Sequence, residues 1–165
     1  MIFVTTGSAV KGIEFTRLVK KMDEVANNID EGVIMQIGPI PYKPRHTEYF
    51  QYASYQESLS YFEKASLIVG HCGIGTILNA LKFQKPIIVV PRRIKYGELN
   101  RDDHQVEIAQ RLVGNDLIKV VYDIEDLESA VREMLERKGK VGKEKPYAEK
   151  KTLIKTIKNF VGNCP

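Results

Sequence analysis

Between Gly70 and Thr76 the chain reads Gly-His-Cys-Gly-Ile-Gly-Thr, with the apolar run Leu67-Ile68-Val69 before it and an amphipathic segment after it. A strand that feeds a glycine turn and then a helix brings unpaired backbone N–H groups and the positive end of the helix dipole to one point, which suits a phosphate. Thr76 adds a hydroxyl there, and His71 adds a ring that titrates near neutrality. A second polar set, Arg92, Arg93 and Asp102-Asp103-His104-Gln105, follows the apolar run Pro86 to Val90; a third, Thr6-Gly7-Ser8, follows Met1 to Thr5; a fourth surrounds Tyr52 to Tyr55. Glycine, hydroxyl, amide, imidazole and guanidinium together fit a diphosphate that carries sugar hydroxyls. Neither glycine turn is a P-loop, because no Gly-Lys-Ser/Thr follows at the required spacing, and the dinucleotide pattern G-x-G-x-x-G is missing. Taken alone, Gly73-x-Gly75 is explained as well by a tight connection as by a ligand.

These sets meet only if the apolar runs are parallel strands. Phe15, Leu18, Val19, Met22 and Val25 repeat at a helical period, and the spacing predicts a strand over Val33 to Ile37, closed by Gly38-Pro39. A short strand over Tyr49 to Ala53 and a helix over Gln56 to Lys64, with Leu59, Tyr61 and Phe62 inward, come next. After the Gly70–Thr76 turn and its helix, the pattern predicts a strand at Ile87 to Val90, a helix from about Asp103 to Leu112, a strand at Leu117 to Val121 and a helix from Glu125 to Arg137. Strands separated by helices of this length form right-handed βαβ units, hence a doubly wound, Rossmann-like α/β sheet of about six strands. Ligands of such sheets sit beyond the C-terminal ends of the strands, where all four polar sets fall. The domain is read as residues 1–137, followed by a charged linker over 138–151 and a C-terminal helix over 152–165 bearing Leu153, Ile154, Ile157, Phe160 and Val161.

The 165 residues suffice for one core of ordinary size, and 43% hydrophobic with 28% charged residues describes a globular chain. No apolar run approaches the roughly 20 residues of a membrane span, and Met1 to Thr5 reads as a strand rather than the charged start of a secretory peptide. The reading is therefore cytoplasmic. Cys72 and Cys164 give neither a disulfide framework nor metal-ligand spacing, and both are read as free thiols. The net charge of +4 comes with no basic helix interleaved with aromatics and no zinc-finger or RNA-binding signature, so nucleic acid is not an expected partner. An anionic membrane surface or an acidic protein accounts for the charge equally well.

Several blocks in order carry a resemblance: Ile2-Phe3-Val4-Thr5-Thr6-Gly7-Ser8, His71-Cys72-Gly73-Ile74-Gly75-Thr76-Ile77, Lys85-Pro86-Ile87-Ile88-Val89-Val90-Pro91-Arg92, Tyr96-Gly97-Glu98 and Asp102-Asp103-His104-Gln105. Over about residues 1 to 136 the chain resembles the glycosyltransferase family 28 C-terminal domain. It is similar in particular to the short stand-alone members that work with a membrane-attached partner, the dolichol-linked N-acetylglucosamine transferase subunits of eukaryotes and the two-subunit galactosyl or glucuronosyl transferases of bacterial polysaccharide synthesis. The Arg92 to Gln105 stretch favours the bacterial branch. The resemblance implies the donor half of a GT-B enzyme. That half holds a UDP-sugar, while a membrane-anchored subunit presents a lipid-linked saccharide acceptor and keeps the chain peripheral at the inner face of the membrane. By the same resemblance Gly7 and Ser8 would face the diphosphate, Gly73, Gly75 and Thr76 would form the phosphate-binding helix start, and His104 and Gln105 would contact sugar or diphosphate. Asn79 stands where many relatives carry a glutamate for the ribose diol; it is uncharged and has a single carbonyl acceptor.

Such a site performs inverting displacement at an anomeric carbon, with UDP leaving. A helix N-terminus and Arg92 can stabilise that leaving charge without an obligatory metal or cofactor. The general base is either His71 or a group on the partner. Asp102 and Asp103 read as helix caps and Cys72 as a small buried side chain; Tyr42, Tyr49, Tyr52 and Tyr55 read as packing residues. In isolation a donor half leaves an apolar cleft face open, which permits a homodimer. Two other readings stand beside the enzyme: a non-catalytic nucleotide-binding regulatory module of the same fold, and a flavodoxin-like or dinucleotide-dependent protein.

Overall fold

Three strands with no exposed side chain along their inner length, β1 (Ile2–Thr5), β4 (Leu67–His71) and β5 (Ile87–Val90), occupy the middle of one sheet. Continuous apolar runs of this kind suit strands covered on both faces. The structure, a computed structural model, describes residues 1–7, 11–99 and 102–140. Towards one edge lie β2 (Val33–Gln36), whose burial alternates, and β3 (Glu48–Phe50), which is mostly exposed; β6 (Ile118–Val120) forms the other edge. All six strands are parallel in the order β3-β2-β1-β4-β5-β6. The helices are α1 (Thr16–Asn27), α2 (Tyr55–Lys64), α3 (Ile74–Lys82), α4 (His104–Leu112) and α5 (Leu127–Lys140).

The strand order has one reversal. From β1 the chain moves outward through β2 and β3, and β4 then returns to the opposite side of β1. Connections leaving the C-terminal ends of β1 and β4 therefore diverge, and a crevice opens between them. The register aligns this rim, since Thr5 lies opposite Gly70 and His71 opposite Val90.

Local chemistry explains the differences from the sequence expectation. Helix α2 starts at Tyr55 because Ser54 caps it: its hydroxyl accepts from Glu57 N at 3.2 Å while the Glu57 carboxylate accepts from Ser54 N at 2.8 Å. The third strand is shorter than Tyr49 to Ala53 and begins at Glu48. The last helix is preceded by a 3-10 turn at Ile124–Asp126 and runs to Lys140, past the boundary expected at Arg137. The rest of the expected linker, and the helix expected over 152–165, lie outside the described residues. The chain divides into two units, Met1–Met134 and Leu135–Pro165, and the sheet and the site described below belong to the first.

Helix α2 is fixed to the sheet by aromatic contacts. The Phe3 ring meets Tyr61 at 5.2 Å and Phe62 at 5.3 Å, and Phe50 stacks on Tyr61 at 4.9 Å. The β2–β3 crossover has no helix and is held by Asp23 of α1 instead. Its buried carboxylate accepts from Tyr42 Oη at 2.6 Å, Arg45 N at 2.9 Å and His46 N at 2.8 Å. Burial alone would raise the Asp23 pKa; the bonds from Tyr42, Arg45 and His46 outweigh it and leave the carboxyl below its ordinary value. Tyr42 and Tyr49 thus line an open pocket of about 1100 Å³ with Asp23, Arg45 and His46, whereas Tyr52 and Tyr55 are exposed beyond β3.

Candidate active site

The crevice between β1 and β4 is shaped by glycines around one ring. Gly7, just past β1, has φ +68°, and a Cβ there would lie 2.2 Å from His71 Nε2; a Cβ on Gly73 would lie 2.2 Å from His71 Cε1. The imidazole is therefore packed between two residues that must lack side chains. Gly75 differs, because nothing lies within 4 Å of a Cβ built on it. It stands at an open helix start. Gly73 is the N-cap of α3 with no side-chain cap, and the first helical bonds run from Thr76 N and Ile77 N to Gly73 O. Helix geometry leaves the N–H groups of Ile74 and Gly75 without a partner inside the helix, and both residues are exposed.

The ring of His71 is engaged at both nitrogens. Nε2 lies 2.9 Å from Thr76 Oγ1, and Nδ1 lies 3.4 Å from Gln105 Nε2. Burial of the ring, and secondarily the charge of Arg92, push its pKa down to about 3. Cys72, the next residue along the chain, is fully buried, and burial pushes its thiol up to about 12.

Gln105 and Arg92 join the ends of the strands. The Gln105 side-chain oxygen accepts from Cys72 N and from Arg92 N, each at 3.1 Å. The Arg92 guanidinium donates through Nη2 to Thr6 O and lies 5.4 Å from the centre of the Phe15 ring, so it bridges the exits of β5 and β1. Arg92 is 6% exposed, and its Nε has no hydrogen-bond partner. Desolvation lowers its basicity, with Glu98 acting in the opposite direction. Sequence reasoning missed the brace beside it. Arg17 of α1 donates to Glu98 at 2.7 and 3.2 Å and to Pro91 O at 2.8 Å, between the rings of Phe15 and Tyr96. A lone arginine on the polar side of an amphipathic helix carries no sequence signal for such a role, although the acid after Gly97 did belong to the recognised pattern.

The rim thus gathers Gly7, His71, Gly73, Gly75, Thr76, Arg92 and Gln105. Ser8 lies outside the described residues. Asn79 is half-buried one helical turn after Gly75, on the same side of α3. His104 is exposed and paired with Asp102 at 2.5 Å. Gln105 is 4% exposed and turned under the rim, so its polar atoms are used internally rather than presented to a ligand. Of the caps expected at Asp102 and Asp103, the first is present, since the Asp102 carboxylate accepts from His104 N, the first amide of α4, at 3.2 Å, and the second is corrected. Asp103 is the N-cap of α4 by position, but its carboxylate accepts from Ile94 N at 2.8 Å instead. Among the described residues no cluster of His, Cys, Asp and Glu could hold a metal, and no helix is long and apolar enough to cross a membrane.

The same sheet and helices recur in solved glycosyltransferases. The glycotransferase of kitacinnamycin superposes with a TM-score of 0.59 at 20% identity, over 81% of this chain and 34% of that one. The calicheamicin glycosyltransferase CalG4 gives 0.55 at 18% identity, over 83% and 37%. Each likeness is of fold, and it covers about one third of the larger protein. The profile of the glycosyltransferase family 28 C-terminal domain matches residues 1–160. The chain belongs to this family. Among curated family relatives, UDP-N-acetylglucosamine transferase subunit ALG13 of Candida albicans is 34% identical over 79 residues, 47% of this chain and 25% of its own length. The subunit of the same name from Cryptococcus neoformans var. neoformans serotype D (strain JEC21) is 31% identical over 101 residues, 60% of this chain and 48% of its own. The matches therefore span half or less of these relatives.

Proposed function

We propose that this chain is the donor-binding subunit of an inverting, UDP-sugar-dependent glycosyltransferase that passes a hexose to a lipid-linked saccharide held by a membrane-anchored partner subunit. The observation that carries this reading is the uncapped start of α3 at the topological switch point, with open space at Gly75 and a buried cation, Arg92, behind it. Free N–H groups and a guanidinium are what a departing diphosphate needs, because its negative charge grows as the anomeric bond breaks. Asn79, one turn along α3, would meet the ribose hydroxyls through its amide. The hexose is galactose, glucuronate or N-acetylglucosamine; the names of the fungal relatives favour the last, and their designation as subunits supports a partner.

Calorimetric titration with UDP, UDP-galactose, UDP-glucuronate and UDP-N-acetylglucosamine, alone and with a membrane-anchored partner, tests the proposal. Saturable binding of at least one is expected. No binding of any ends it. Asn79 also supports a second reading, a nucleotide-binding module without transfer, which predicts UDP binding but no sugar transfer when the partner is present.

A further inference from the structure

Gln105 decides where the hydrogen sits on His71. The two groups facing its side-chain oxygen, Cys72 N–H and Arg92 N–H, are backbone donors, so the atom between them must be an acceptor. The NH2 end is thereby assigned to His71 Nδ1, 3.4 Å away. An NH2 group only donates, which means that Nδ1 is bare and the ring carries its hydrogen on Nε2. Nε2–H then donates to Thr76 Oγ1 at 2.9 Å. A hydroxyl that accepts from the ring turns its own hydrogen away from it, and Thr76 stands in the first turn of α3.

We infer that Gln105 is a positioning residue: it holds His71 as the neutral Nε2–H tautomer, and that tautomer aims the Thr76 hydroxyl hydrogen at the anion bound at the start of α3. The inference rests on the proposed diphosphate site and deepens it, adding a polarised chain from Gln105 through His71 to Thr76 beneath the free N–H groups. It also changes the part given to His71. With both nitrogens committed and the Arg92 charge beside the ring, His71 does not accept the proton of the acceptor hydroxyl. The base lies outside this network.

The test uses the full-length chain labelled with 15N-histidine, its three imidazoles assigned through His46→Gln and His104→Gln, and two-bond 1H–15N spectra recorded from about pH 5 to 8. His71 is expected to stay neutral with Nε2 protonated throughout. Gln105→Glu sets a carboxylate oxygen against Nδ1 and is expected to move the hydrogen there. An Nδ1–H or imidazolium signature in the unsubstituted chain overturns the inference whether or not the variant folds, and so does an unchanged tautomer in a folded Gln105→Glu. UDP titration supplies the second arm. Thr76→Val and Gln105→Glu should each weaken UDP by about tenfold, the double variant should lose little more, and Thr76→Ser should retain affinity. Additive losses overturn the coupling. A chain with the expected tautomer that binds no UDP overturns the nucleotide reading instead, so the two failures are told apart.

Discussion

Two buried polar clusters in this fold are built on opposite principles. Around Asp23 the carboxylate is surrounded by the donors it requires, Tyr42 Oη and the amides of Arg45 and His46. At the rim, Arg92 is as deeply buried, yet its Nε has no partner, and the α3 start beside it has no cap. Unsatisfied buried donors cost stability, so a fold keeps few of them without a use. The saturated cluster replaces a missing crossover helix, while the unsaturated one has capacity left for an anion.

This contrast can be broken by experiment. The largest effect is expected at Asp23. Removing its carboxylate with Asp23→Ala strands three donors and should reduce stability by about 3 kcal/mol or more, read by denaturant unfolding, while UDP affinity of the folded fraction is unchanged. Its pKa is depressed on folding below the ordinary 3.8, so its stabilisation is present above that pH and lost as pH falls through the lower folded value. Melting curves of the unsubstituted and Asp23→Asn chains should accordingly converge in acid. A change in nucleotide affinity on substituting Asp23 would erase the distinction between the clusters. Arg92→Met strands one buried acceptor, Thr6 O, and should lower stability by about 1–3 kcal/mol, less than Asp23→Ala, while weakening UDP by about tenfold or more; loss of stability with affinity retained would make Arg92 a strut. The smallest effect on folding is expected from His104→Ala, within about 0.5 kcal/mol because the side chain is exposed. Its turnover of UDP-sugar should nevertheless fall, and parallel loss in melting and activity assays would assign His104 to the fold.

The frame was legible in the sequence because strand runs such as Ile87 to Val90 are uniformly apolar and the helix periods are regular. The glycine turn was legible because Gly73 and Gly75 precede an amphipathic run. Harder to read was what each polar residue faces. Gln105 and His104 are neighbours with similar chemistry, but the helical turn sends one under the rim and the other into solvent. Arg17 and Glu98 are 81 residues apart, and only the sheet topology makes them neighbours. The start of α2 at Tyr55 was available from Ser54 and Glu57, whose spacing is that of a capping box.

The sealed thiol next in sequence to the histidine gives the protein a built-in clock. Alkylating reagents attack the thiolate, a form that Cys72 disfavours while buried with a pKa of about 12. In a chain with Cys164 replaced by serine, the rate at which Cys72 is modified therefore records how often the end of the fourth strand breathes open, and occupancy of the crevice at that end would slow that rate.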